Sequence, residues 1–339
     1  MNNFFDLSGK TVLISRTDSI GDVVLTLPMC VWIKTKFPTA RILFLGQTYT
    51  KPVLECLPEI DQLVDWTELT KMPESSRLDL IKSWNVDVCI HVFPNKEVAS
   101  LMRKAKIPMR VGTSHRTFHF LTCNHRVSFT RKNSDFHESQ LNFELLRPFG
   151  ITELPSLEQL TAWMESFRAK DVALPAFLEA HLTSNAKRVV LHPRSQGSAL
   201  EWPIEKYAIV ANDLLDRGFQ VFFTGTETDG IYIRSMIPKH ENCVDTTGKL
   251  SLDQLLNFIS KCDYLVACST GPLHLAGVFG LKTIGLYAPQ RPIHPGRWKA
   301  LGKNVHILVN DENTEHSKIR PSQNAVEQIE SFRVIELIN

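Results

Sequence analysis

No stretch of this 339-residue chain is apolar for long enough to cross a bilayer. The runs at 263–268 and 275–288 are broken by Asp, Gly or Lys well short of the roughly 20 residues a span requires. An excess of one charge is missing too. Lys and Arg number 38 against 36 Asp and Glu, a net +2, and 43% of residues are hydrophobic. That balance excludes a disordered tail, a polybasic nucleic-acid binder or an acidic buffer as the global description. The opening MNNFFDLSGK has no basic start, apolar core or small-residue cleavage site, so a cytoplasmic chain is expected. The seven cysteines are odd in number and contain no Cys-x-x-Cys, which supports neither a disulfide framework nor a zinc ribbon. Gly-x-Gly-x-x-Gly and Gly-x4-Gly-Lys-Ser/Thr are both absent, against a standard nicotinamide dehydrogenase or a P-loop enzyme. Any phosphate would have to be held by helix ends.

What is present is an α/β alternation that runs twice. Short β-branched or apolar runs at 11–15, 41–45, 61–65 and 86–92 are separated by helix-length segments such as 22–36 and 74–84. The pattern restarts at 188–192 and continues at 219–224, 263–267 and 282–287, with helical spacing at 204–217, 251–261 and 272–279. Runs of this kind imply parallel, doubly wound sheets, whose ligands sit at the carboxyl ends of the strands. Two such domains facing a cleft are expected, joined near 150–187, where Pro and Gly gather and the strand signal fades. We set the boundaries at 1–165, 166–320 and 321–339, the last holding an amphipathic helix over 322–337.

Three segments carry candidate chemistry. In the first, TVLISRTDSIGDVVLTLP at 11–28, a strand ends at Ser15 and a helix opens at Gly21-Asp22. Asp22 is either a helix-start carboxylate favoured by the macrodipole or a fixed general base. Arg16 is a solvated side chain or an anion contact, and Pro28 predicts a kink. In the second, RVVLHPRSQGSALEWP at 188–203, a strand runs into a loop whose backbone N–H groups, with Arg194 and Ser195, suit a phosphate. It also reads as a plain loop. Glu227, past the 219–224 strand, is a weak candidate for hydrogen bonds to a ribose or base. The third is 263–287, where a strand ends at Cys268 and Ser269-Thr270-Gly271 enters a helix with Pro272 in its first turn. Such a helix start binds anions, and His274 is either a ligand contact or a core histidine.

Between Arg103 and Ser134 the chain holds Arg103, Lys104, Lys106, Arg110, Arg116, Arg126, Arg131 and Lys132, three histidines including His115, and no acid. The segment is either a solvated surface or a face for a phosphorylated or carboxylated partner. Its interleaved Phe residues do not make a nucleic-acid groove, because nothing elsewhere in the chain extends one. No nucleic acid is expected as a partner.

GDVVLTLP at 21–28, HPRSQGSALEWP at 192–203, DTTGKLSLDQL at 245–255, STGPLHLAGVFG at 269–280 and LYAPQRPIHPGRW at 286–298, taken together, resemble the heptosyltransferase-like family 9 glycosyltransferases. The blocks keep the family's order across residues 11 to 300. The resemblance implies a glycosyltransferase-B architecture with an N-terminal acceptor domain, a C-terminal nucleotide-sugar domain and a final helix returning toward the N-terminal one. It implies inverting, metal-independent transfer without a cofactor, from an ADP-activated heptose to growing lipopolysaccharide core. On this resemblance Asp22 matches the base, and Arg16 the basic residue at the end of the first strand. Ser269, Thr270, Gly271 and His274 match the diphosphate-holding helix start, and Glu227 an acidic donor contact. Arg110, His115 and Arg116 would face an anionic, lipid-linked acceptor, with peripheral contact at the inner membrane face and a monomeric enzyme.

Two departures leave the donor open. Leu200 and Glu201 stand where heptose-transferring members carry a Lys before Trp-Pro, so Arg194 or Arg297 would have to neutralise the diphosphate. Ser269 stands where the family often has Asp. A nucleotide-sugar epimerase or a non-catalytic sugar-nucleotide binder on the same fold are the alternatives.

Overall fold

The computed structural model describes residues 4–132, 134–310 and 324–339. The chain divides into two compact units between Phe167 and Arg168. The expected 320/321 boundary lies outside the described residues.

The first unit holds six parallel strands: β1 (Thr11–Ser15), β2 (Arg41–Gly46), β3 (Gln62–Asp65), β4 (Val88–His91), β5 (Met109–Thr113) and β6 (His125–Val127). They lie in the order β3-β2-β1-β4-β5-β6. The second unit repeats the plan with β7 (Arg188–His192), β8 (Gln220–Phe223), β9 (Cys243–Asp245), β10 (Tyr264–Cys268), β11 (Lys282–Tyr287) and β12 (Val305–Val309), in the order β12-β11-β10-β7-β8-β9. Counted within its own unit, each sheet has the doubly wound order 3-2-1-4-5-6. The central strands are apolar because crossover helices cover both faces. β10 is buried at every residue, and Val266 is paired with Leu191 on one side and Ile284 on the other.

This order fixes where ligands can sit. The chain leaves β1 toward β2 but returns from β3 to β4 on the other side, so a crevice opens beyond the carboxyl ends of β1 and β4. The equivalent place in the second unit lies beyond β7 and β10. Asp22 and His91 follow or end the first pair of strands; Arg194, Ser195, Ser269 and Thr270 follow the second.

Two helical expectations need correction. The pattern over 22–36 is two helices, Ile20–Val24 and Pro28–Lys36. Pro28 has no N–H to continue a hydrogen-bond ladder, so the anticipated kink is a complete break with Pro28 opening the second helix. The amphipathic pattern over 322–337 is also interrupted. Residues 322 and 323 lie outside the described residues, and from there the chain forms Asn324–Glu327 and Ser331–Ile335. Ile329, Val334 and Ile338 are buried in one cluster with Tyr207 and Val210 of the Ile204–Asp216 helix, and Trp202 Nε1 donates to the Ile329 carbonyl at 2.9 Å. These partners all belong to the C-terminal unit.

Candidate functional site

Beyond β1 the chain turns through Arg16–Ser19 before Ile20 opens its short helix, with Ser19 extended at the N-cap. This turn puts Arg16 under the loop, 3% exposed. Burying a guanidinium is costly unless its donors are met by carboxylates. Here Nε donates to Asp18 Oδ1 at 2.7 Å, Nη2 donates to Asp22 Oδ1, and Nη1 lies 3.6 Å from Glu138 Oε1. Burial works against the Arg16 charge, but Asp22, Asp18 and Glu138 together outweigh it, and Arg16 holds its proton more tightly than usual. The second Asp22 oxygen accepts from the Ser19 hydroxyl at 2.6 Å, so both carboxylate oxygens are oriented. Asp18 is perturbed the other way. Burial pushes it up to about 6, Arg16 opposes that, and the like charge of Asp22 adds to it.

The basic stretch is divided by its partners. Arg110 spends its guanidinium on the carbonyls of Thr122, at 2.7 Å, and Ile107, so it braces the loop after β5 and is not turned to the Asp22 cluster. Lys104 pairs with Glu74 at 2.6 Å, and Arg131 with Glu138 at 3.0 Å. His115, Arg116, Arg126 and Lys132 are exposed. They share the surface with Phe120 and Leu121, 60% and 71% exposed, and the Arg126 guanidinium sits 4.9 Å from the Phe120 ring centroid. His119 is buried and its Nδ1 lies 2.9 Å from the Thr113 carbonyl; burial lowers its pKa.

In the second unit the loop after β7 does cradle an anion, and that anion is the chain's own. Glu201 Oε1 accepts from the Ser195 backbone N–H at 2.6 Å and lies 2.8 Å from the Ser195 hydroxyl. Glu201 Oε2 is 2.5 Å from Arg194 Nη1. The groups expected to face a phosphate are therefore turned to Glu201. Gln196 and Gly197, at φ +51° and +82°, make the left-handed turn that brings the loop back to it. Glu227 is likewise engaged: Arg234 grips both oxygens at 2.6–2.7 Å and also reaches Asp245 at 3.0 Å. Glu227's pKa falls through the Arg234 hydrogen bond.

The helix start after β10 is different. Thr270 is the N-cap of the Gly271–Phe279 helix but makes no side-chain capping bond. Its Oγ1 is buried without a hydrogen-bond partner, beside the N–H of Gly271 at the helix start; Pro272 has no N–H, and the Leu273 and His274 N–H groups donate to the Thr270 carbonyl at 3.1 and 3.4 Å. His274, 3% exposed, lies one turn on. Of the expected donor residues, Ser269, Thr270, Gly271 and His274 thus belong to one helix entry, while Arg194, Ser195 and Glu227 are occupied by other side chains. Among the described residues no group of three or more His, Cys, Asp or Glu side chains is placed to hold a metal ion.

Sequence reasoning missed Asp18, Glu138 and Asn142, and placed Arg131 only within the basic stretch. The signal was available for two of them. The apolar face 141, 145 and 149 carries Glu138 and Asn142, a charge and an amide where a helix pattern asks for hydrocarbon.

A family model described as glycosyltransferase family 9 (heptosyltransferase) matches residues 81–327. The lipopolysaccharide core heptosyltransferase OpsX of Haemophilus influenzae is 23% identical over 330 residues, covering 94% of this chain and 90% of that protein. Among solved structures, a glycosyl transferase family 9 protein of Veillonella parvula superposes with a TM-score of 0.78 at 20% identity, covering 99% and 98% of the two chains. The E. coli ADP-heptose lps heptosyltransferase II gives 0.75 at 18% identity, with 97% of each chain covered. The two Rossmann-like sheets have the glycosyltransferase-B fold of these neighbours. With a family model matching most of its length, the chain is a glycosyltransferase and belongs to family 9, the heptosyltransferases.

Proposed function

We propose that this enzyme transfers a heptose from an ADP-activated donor to a lipopolysaccharide-core acceptor, with inversion and without a metal. Asp22 acts as base, the N-terminal unit holds the acceptor and the C-terminal unit holds the donor. The observation that carries this reading is positional. Asp22 and the Thr270–Gly271 helix start each lie beyond the strand pair where the order of their own sheet reverses.

In the proposed step the acceptor hydroxyl attacks the anomeric carbon as the bond to the diphosphate oxygen breaks. Its proton passes to Asp22, and the departing electron pair stays on the diphosphate. A single displacement inverts the carbon. Held by Arg16 and Ser19, the Asp22 carboxylate needs little reorganisation, and its negative charge stabilises the oxocarbenium-like centre. A carboxylate suffices as base because the hydroxyl proton becomes acidic as the new bond forms. On the donor side, the Thr270 hydroxyl, the Gly271 N–H and the positive end of the helix would take the diphosphate, with Ser269 and His274 lining the entry. Glu201 already neutralises Arg194 and takes the Ser195 donors, so the helix start carries most of this task.

His115 and Arg116 are proposed on the acceptor side, while Arg16, buried against Asp18, Asp22 and Glu138, holds the base. Exposed Phe120 and Leu121, flanked by Arg116, Arg126 and Lys132 and with no acid in the segment, fit peripheral contact with an anionic inner-membrane surface. Among the described residues no helix is long and apolar enough to cross a membrane. A monomer is sufficient, since one chain supplies both proposed sites.

The test is transfer from ADP-heptose to heptose-deficient lipopolysaccharide by EDTA-treated enzyme, with the anomeric configuration of the product read by NMR. Transfer with inversion is expected. Retention, loss of turnover with EDTA, or conversion of the donor alone would contradict the proposal.

A further inference from the structure

Glu138 opens the Glu138–Phe143 helix and is 1% exposed, yet the proposed step does not use it. A carboxylate is buried only when paired. Its Oε1 lies 3.6 Å from Arg16 Nη1 and 3.0 Å from Arg131 Nε. Arg131 Nη2 donates to Asn142 Oδ1 at 3.0 Å, and Asn142 Nδ2 donates to the Leu25 carbonyl at 3.2 Å and the Thr26 hydroxyl oxygen at 3.3 Å. The Thr26 hydroxyl in turn donates to the Asp22 carbonyl at 2.9 Å. The contacts close a ring: Asp22, Arg16, Glu138, Arg131, Asn142, Thr26 and back to Asp22.

We propose that Glu138 and Arg131 are positioning residues for transfer, which act through Arg16 to set the orientation and the proton affinity of the Asp18–Asp22 carboxylate pair. The inference rests on the reading of Asp22 as base. Among the described residues, the ion pairs around the two carboxylates set the balance. Arg16 and Arg131 give two positive charges; Asp18, Asp22 and Glu138 give three negative ones. Tyr49 contributes a hydroxyl that donates to the Asp18 carbonyl at 2.8 Å. His91, beside Ser15 at the end of β4, stays neutral because burial pushes it down to about 3. Glu138 brings negative charge to the cluster and Arg131 positive charge, so removing either one tilts it in a known direction.

The experiment is the pH profile of kcat/KM, with donor dissociation constants, for wild type, Glu138→Gln, Arg131→Gln and the double variant. Each single variant should lower kcat by about tenfold or more while donor affinity stays within about twofold. Loss of the Glu138 charge should move the acid limb to lower pH, and loss of the Arg131 charge should move it to higher pH. The double variant should return it toward wild type. Arg131→Lys, which keeps the charge without the fork, should hold the limb in place with reduced kcat. Limbs that stay fixed or move the same way overturn the proposal, since a merely structural role shifts neither. Asp22→Asn is measured alongside. If it is inactive while the limbs do not move, this inference alone fails; if it turns over normally, the Asp22 reading fails and takes this one with it. Should one single variant not fold, the direction in which the acid limb of the other single variant moves still decides the matter.

Discussion

Glu201 sits on Arg194, 2.5 Å from its guanidinium, and takes the Ser195 backbone N–H at 2.6 Å. An acid thus fills the one loop of the second unit that looked built for a phosphate. Glu201→Gln should release Arg194 and tighten binding of ADP. The pair is partly exposed, so an effect on the order of 1 kcal/mol, about fivefold, is expected. Calorimetric titration with ADP measures it, and unchanged or weaker binding would show that Arg194 has no part in the donor site.

The Thr270 hydroxyl is the converse case, a buried polar group with no partner. Replacing it by the isosteric Val removes a desolvated hydroxyl that makes no bond in the free protein. Thr270→Val should therefore leave stability within about 1 kcal/mol of wild type, or raise it, while weakening donor binding roughly five- to tenfold. Loss of stability with unaltered donor affinity would mark Thr270 as an ordinary cap.

Much of this was visible in the amino acids, and the failures have physical causes. β1, β2, β7, β10 and β11 announce themselves because strands covered on both faces must be continuously apolar. β5 did not, since Met109–Thr113 interrupts its apolar run with Arg110 and Gly112. β6 and β9 are three-residue edge strands, and β12 is also an edge, where one-sided pairing relaxes the pattern. Asp22 and the Thr270 helix start were legible because each follows a strong strand at a helix entry. The Glu201 contact was not, because no local rule says which way a loop carboxylate turns. The pairing of Glu138 with Arg16 was hidden for a similar reason: the two come from distant parts of the chain.

Asp18 gives a pH dependence with a definite sign. Its folded pKa, pushed up to about 6 chiefly by burial, lies above the ordinary value of 3.8. Between these values the folded chain holds a proton that the unfolded chain has released. The stability this provides is complete below pH 3.8 and is lost as pH rises through about 6. Asp18→Asn keeps the shape without the charge, so it should match wild type near pH 4 and melt a few degrees higher near pH 7, ~2–5 °C. Thermal denaturation at both values decides it. A variant that is less stable at pH 7 would mean that the pull of Arg16 outweighs burial.

Phe120 and Leu121 stand out from the surface among arginines. Replacing both by Ser should abolish sedimentation with vesicles rich in phosphatidylglycerol and leave kcat for a water-soluble acceptor unchanged. Wild-type protein should bind neutral phosphatidylcholine vesicles far less than anionic ones. Equal sedimentation of variant and wild type would remove this face from membrane contact.

The most direct test of the mechanism is Asp22→Asn, with ADP binding measured by calorimetry and transfer by single-turnover assay on the same preparation. ADP affinity should stay within about threefold while transfer falls by at least about a hundredfold, the usual cost of losing a general base. Transfer at a rate close to wild type, with donor binding intact, would contradict the role of Asp22 at the centre of the proposed mechanism.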